Sequence, residues 1–479
     1  MPIILSISTT LITGNLLPFE PENSVLAYPV DSANNIDSRY VNFGDPINLS
    51  NNARDSVYPQ IAVYKNNVYV VWEEEAAANT TLTNKGVIVT HENRNYDIYF
   101  KKSTDGGVMF GKAFNISNNS GLSVHPQIVV AGSNVYIAWT DDTSFNKDIF
   151  FRMSSDEGGS FGRTVKLSDN SGESYNQEIS AYANNVYVVW ENKYYYYNNT
   201  NHIKGTGSTN VANNNINNSS TSHVDDSYGA NNNNGRILFK ASTDGGNSFK
   251  DTKIITTNSG RTAESYPKIA ASDNNNVYVA WSVGMPPSTA EHGTRDYDNN
   301  SSNKHEAEQK QGIFFTKSSD SGVNFSKIVK LNNDASRVGE SQIAASGNQV
   351  YITWSGNSDN LIPNDLYFTK STDNGNSFTK ENSLRKNSSL NAELAVNEDN
   401  VYIVWQDFLK PSNQEILIKK SIDRGDMFAN TITNISNNKG TSECPSIAIS
   451  KNIVYAIWED DTLGNHEIFF TKSNNYKLP

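Results

Sequence analysis

The stretch Asp97-Ile-Tyr-Phe-Lys-Lys-Ser-Thr-Asp-Gly-Gly-Val-Met-Phe-Gly-Lys-Ala-Phe-Asn-Ile-Ser117 decides the fold, because its middle recurs along the chain. The pattern Ser-x-Asp-x-Gly-x-x-Phe stands at Ser103–Phe110, Ser154–Phe161, Ser242–Phe249, Ser318–Phe325, Ser371–Phe378 and Ser421–Phe428. Each copy follows an apolar or alternating run that ends in a basic residue, such as Ile149-Phe150-Phe151-Arg152, and that run reads as a strand. The pattern itself reads as a tight turn. Its Asp can accept backbone N–H groups, its Gly can take positive φ, and its Phe can tuck into the core. Asp105, Asp156, Asp244, Asp320, Asp373 and Asp423 are therefore expected to be structural.

Working outward, a second ruler is Val-Tyr-x-x-Trp, which ends at Trp72, Trp139, Trp190, Trp281, Trp354, Trp405 and Trp458 and uses all 7 tryptophans. One unit then reads as strand A (Tyr58–Val63), strand B (Asn67–Trp72), strand C (Asp97–Phe100), the turn, and strand D (Phe114–Ser117). The last unit stops at Pro479 without a D strand, whereas Asn42–Ser50 is a half repeat standing alone and matching Met109–Ser117. An N-terminal strand that completes the last blade removes an open sheet edge, so the spacing predicts an all-β, seven-bladed β-propeller of four-stranded blades.

These residues resemble the Asp-box, or bacterial neuraminidase repeat, of β-propellers that include sialidases and non-catalytic binders. The resemblance covers the chain from about Tyr40 onward. It implies the fold, with the boxes as C–D turns, and leaves the function open.

Residues 1–39 read as a signal-like leader and linker, with an apolar stretch from Pro2 to Gly14 and prolines at 18, 21 and 29; residues 40–479 read as the propeller. An extracellular or cell-surface location is expected. A net charge of −12 disfavours nucleic acid and anionic membranes as partners. A single cysteine, Cys444, excludes an intrachain disulfide. The expected partner is a glycan or a surface protein, bound by a monomer without a cofactor.

Spacings between tryptophans place long insertions between strands B and C at Glu73–Tyr96, Glu191–Gly235 and Ser282–Gly312, all on the face opposite the boxes. That face is the functional candidate. The 7 histidines fall in its B–C or D–A loops in this reading; none has the tight spacing of a zinc site, and no metal is assigned. Acids follow the tryptophans at Glu73-Glu74, Asp141-Asp142, Glu191, Asp407 and Glu459-Asp460-Asp461, and are expected to cap strand ends and keep the rim soluble.

Arg54, Arg261 and Arg337 are placed in D–A loops. Sialidases hold a substrate carboxylate with an arginine cluster, so the resemblance offers these three as anion ligands. Glu173, Glu264 and Glu340 with Tyr175 and Tyr266, joined by Asp55, Glu443 and Tyr58, would supply an acid and a Tyr or Glu nucleophile. The Arg-Ile-Pro motif of sialidases is absent, so no catalytic residue is carried over. Binding at this face is the first reading and a sialidase-like exo-glycosidase the alternative.

Overall fold

A computed structural model describes residues 39–76, 80–83, 86–89, 95–169, 172–193, 235–256, 264–273, 275–283, 312–332, 337–357, 365–386, 389–410 and 413–474. Among them the strands form seven four-stranded antiparallel sheets and one two-stranded hairpin, Thr80–Thr83 with Gly86–Val89, within the first B–C insertion. Blade 1 comprises Ser56–Tyr64, Asn67–Glu75, Tyr96–Ser103 and Phe114–Asn115, in the order A-B-C-D. Each A strand packs on those of the blades before and after it, and the A strand of blade 7 packs on that of blade 1. The ring is closed, as the repeat count predicts.

The closure uses the N-terminal half repeat. Ile47–Asn48 pairs with the last C strand, Ile47 opposite Phe470 and Asn48 opposite Phe469. The Leu49 N–H donates to the Ile468 carbonyl at 2.7 Å, and Gly44 N–H to that of Lys472 at 3.0 Å. Phe43 bridges Ser473, so two segments remote in sequence assemble the turn that one box makes elsewhere.

The core lies between blades. Seven apolar clusters each join two neighbours: Trp72 and Val70 of blade 1 meet Leu49, Tyr455, Ile457 and Phe470 of blade 7. Strand B is buried on both faces, which is why it reads as a continuous apolar run rather than an alternation. Six of the tryptophans are 0–1% exposed and Trp354 is 2%; five stack on an aromatic residue of their blade's C strand, as Trp72 does on Tyr99 with centroids 6.0 Å apart.

Every box adopts one geometry. In the fifth, Ser371 Oγ donates to Asp373 Oδ1 at 2.7 Å, and the same Asp oxygen accepts the N–H groups of Asn376 and Ser377 at 3.0 and 2.9 Å. Gly375 sits at φ 73° with a virtual Cβ 2.7 Å from Phe315 Cζ of the preceding blade. The box Phe does not tuck beneath its own turn: Phe378 packs edge-on against Phe315 at 4.9 Å, and each other box Phe meets the equivalent ring. The turn is a clamp between blades. Gly375→Ala should therefore cost roughly 1–3 kcal/mol from clash and backbone strain. Asp373→Ala, which removes solvent-exposed hydrogen bonds, should cost about 1 kcal/mol. Thermal melts check both, and a smaller loss in Gly375→Ala than in Asp373→Ala would count against the clamp.

The basic residues that end the C strands also join blades. Arg152 Nη1 donates to the Ile116 carbonyl at 2.7 Å, Lys240 Nζ to that of Leu167 at 2.9 Å, and Lys472 Nζ to that of Gly106 at 2.7 Å.

Candidate functional site

Each A strand breaks register at one place, between Val57/Gln60, Val124/Gln127, Tyr175/Glu178, Ser265/Lys268, Val338/Ser341, Leu390/Glu393 and Glu443/Ser446. The residue just after the break takes φ of 51° at Tyr58, 53° at His125, 52° at Asn176, 55° at Tyr266, 46° at Asn391 and 48° at Cys444. Glu340 fills the place in blade 5. A bulge turns one extra side chain out of the ladder. Tyr58 is 45% exposed although Ser56, two residues earlier, is fully buried. The seven A strands thus present a ring of seven residues, on the inner strands and toward the face that bears the insertions.

Non-glycine residues at positive φ are strained by about 1–2 kcal/mol, and for three of the six the neighbouring blade supplies an acceptor for the backbone N–H. Glu459 Oε2 accepts the Tyr58 N–H at 2.7 Å, Glu73 Oε1 that of His125 at 2.5 Å, and Gln406 Oε1 that of Cys444 at 3.4 Å. These acceptors directly follow the strand B tryptophans. One residue further on, Glu74, Asp141, Asp407 and Asp460 accept the indole N–H of Trp72, Trp139, Trp405 and Trp458 at 3.3, 3.1, 2.9 and 3.2 Å. The expectation that the acids after the tryptophans keep the rim soluble is corrected here. Strand B runs past its Trp, and Glu73, Glu74, Asp141, Glu191, Asp407, Glu459 and Asp460 are all buried. Burial pushes Glu73 and Glu459 up to about 8.

The ring is aromatic and polar, with one carboxylate, Glu340. Tyr58 and His125 meet edge to face at 5.3 Å. Burial, then Glu340 and Glu191, push Tyr266 up to about 12. Tyr175 Oη donates to Glu191 Oε1 at 3.2 Å, while Lys193 Nζ lies 4.7 Å from the Tyr175 ring centre and 3.5 Å from Glu191 Oε1. Desolvation, with Lys147 and Lys268 nearby, pushes His125 down to about 4, so its imidazole is neutral at physiological pH. Below lies a second ring at the position two residues along. There Lys268 is bonded to Glu178, with Glu340 and Glu393 close by, and Gln127 Nε2 donates to Glu178 Oε1 at 3.2 Å.

Several residues expected in D–A loops lie inside strand A: His125, Glu173, Tyr175, Glu264, Tyr266, Arg337, Glu340 and Glu443. The bulge lets the strand continue through the Tyr-Pro and His-Pro steps that break the alternation. Of the residues offered as a site, Tyr58, Tyr266 and Glu340 belong to the ring and Tyr175 adjoins it through Glu191. Arg54 does not. Its Nη2 pairs with Glu74 Oε1 at 3.3 Å and its Nη1 donates to the Glu75 carbonyl at 2.9 Å, within its own blade. Glu264 faces Val283, the position that carries a carboxylate in four other blades, and Glu173 faces Lys193. The Arg337 side chain, Arg261, His91, His202, His223, His292, His305, the tyrosines at 194–197 and the leader to residue 38 lie outside the described residues.

Sequence reasoning missed Asn176, Asn391, Cys444, Glu178, Lys268 and Glu393. Aligning the repeats on Ile61, Ile128, Ile179, Ile269, Ile343, Leu394 and Ile447 of the A strands finds them: the ring lies three residues before and the second ring one before.

No family model matches the chain, and no curated protein matches it. Among solved structures, the polysaccharide lyase Uly1 superposes with a TM-score of 0.51 at 10% identity, over 87% of this chain and 89% of that one. A protein of unknown function from Dyadobacter fermentans DSM 18053 gives 0.49 at 13%, over 91% and 99%. A Trypanosoma rangeli sialidase gives 0.41 at 12%, over 76% and 56%. At these identities the likeness is one of fold alone.

Proposed function

We propose that this protein binds a glycan at the mouth of its central channel, on the face that bears the insertions, and does not cleave it. One observation carries the reading: seven bulged A strands present a ring whose members differ in type, Tyr58, His125, Asn176, Tyr266, Glu340, Asn391 and Cys444, on a frame that hardly varies. Variation confined to one position of a fixed repeat is what a recognition surface needs. Tyr and neutral His offer faces for sugar C–H groups, and the carboxylates and amides offer hydroxyl partners. Work outside the cell is part of the proposal, supported by the apolar opening stretch and checked by cell fractionation.

Against turnover stands the engagement of the acids. Glu73 and Glu459 hold backbone N–H groups, and Arg54 is paired away from the ring. Among the described residues, the Tyr175–Glu191 contact favours the alternative, an exo-glycosidase with a Tyr nucleophile beside its base.

A glycan array, with a fluorogenic sialoside and other aryl glycosides in parallel, tests the choice. We expect array binding without hydrolysis, weakened roughly 10-fold by Tyr58→Ala or Tyr266→Ala. Hydrolysis abolished by Arg261→Ala or Arg337→Ala would establish the glycosidase instead.

A further inference from the structure

The box face carries its own recognition features. Two grooves lie there between successive blades. One, of about 370 Å³, is lined by Phe151, Phe161, Val165, Ser160 and Arg163 of blade 2 and Asn247 of the next box. The other, of about 270 Å³, is lined by Phe239, Lys250, Asp251 and Lys253 of blade 3 and Ser321 and Val323 of the next box. They share a plan, with a buried C-strand Phe beneath, apolar walls that reach solvent, a hydroxyl or amide from the neighbouring box, and a cation just past the box Phe.

That cation recurs. Lys112, Arg163, Lys250, Lys327 and Lys380 stand one or two residues after the box Phe in blades 1 to 5, all exposed and, among the described residues, none in an ion pair. The arc stops at blades 6 and 7, where Asn430 and Asp45 stand in its place. Lys253 is used already, donating to the Val323 carbonyl. Part of the acid on this face is engaged: the box carboxylates accept backbone N–H groups, and Asp426 pairs with Lys370 at 2.6 Å. Asp251 offsets part of the charge in its groove.

We propose that these inter-blade grooves bind an anionic polysaccharide along the box face, one acidic sugar to a groove. Its carboxylate or sulfate would meet Arg163 or Lys250, its C–H face the accessible apolar walls, Phe161 and Val165 in one groove and Val323 in the other, and its hydroxyls the box Ser or Asn. A polymer with a regular charge suits a row of cations set by the blade repeat, and within a Debye length of about 8 Å the local arc outweighs a net charge of −12. The site is distinct from the channel mouth, and neither proposal depends on the other.

The test is affinity electrophoresis of the full chain through polygalacturonate, with neutral dextran and duplex DNA as comparison polymers. We expect retention by polygalacturonate alone, falling steeply with added salt, and weakened roughly 10-fold or more in the triple variant Arg163→Ser, Lys250→Ser, Lys327→Ser. The triple variant should melt like the parent, and Tyr266→Ala should be retained like the parent. Absence of retention at low salt, retention unchanged in the triple variant, or equal retention by DNA would each overturn the proposal.

Discussion

A chain lacking residues 1–50 should fail to accumulate as soluble protein, or should unfold at a markedly lower temperature than the parent. The deletion removes the Ile47–Asn48 strand from blade 7 and leaves the C strand Glu467–Lys472 with an unpaired edge. It also takes Leu49, 3% exposed, out of the cluster it shares with Trp72 and Tyr455, and Val41 out of the cluster of Trp458. Losing one such buried Leu side chain costs roughly 2–5 kcal/mol, and here backbone hydrogen bonds go with it. Leu49→Ala isolates the packing part and should lower stability by about 2–4 kcal/mol in urea titrations. A truncated chain that melts like the parent would show that blade 7 closes without its N-terminal strand.

The second large effect is one of pH. Glu73, Glu459 and Glu393 have an ordinary carboxyl value of 4.5 and are pushed up to about 8 by burial. Between those values the folded chain holds protons that the unfolded chain has released. Stability therefore falls as pH rises from about 4.5 to 8. The box aspartates act in a different window: hydrogen bonds hold Asp244, Asp320 and Asp373 down at about 2 against an ordinary 3.8, so what they contribute is lost only on acidification below about 4. The stability maximum should lie near pH 5, and on the order of 2 kcal/mol per buried acid should be lost by pH 8. Glu459→Gln and Glu73→Gln keep an oxygen for the Tyr58 and His125 N–H groups, as Gln406 already does for Cys444. Both variants should be more stable than the parent at pH 8 and little changed at pH 5. Melting curves from pH 5 to 9 read this directly, and a loss of stability in both variants at pH 8 would mean that the carboxylates are held ionised.

The propeller was legible because its determinants are local and repeated. A Trp on strand B and a Ser-Asp-Gly-Phe turn do the same job in successive blades, so repetition amplified a signal that one copy could not carry. The half repeat at Asn42–Ser50 gave away the closure for the same reason. The site was less legible. His125 and Tyr58 precede prolines, which read as the end of a strand, and only the bulge explains how the ladder continues through them. Glu73 and Glu459 looked like surface acids, since nothing in their local sequence reveals that the next blade's backbone N–H groups approach them. Arg54 looked available for a ligand because its partner Glu74 is 20 residues away, at the end of a strand that reaches further than its apolar run.

The most direct test of the account is a crystal structure of the protein with the best oligosaccharide from the glycan array. The account predicts sugar density in the channel mouth, in contact with Tyr58, His125 or Tyr266. Density confined to the box-face grooves or to the B–C insertions, with the ring empty, would contradict it.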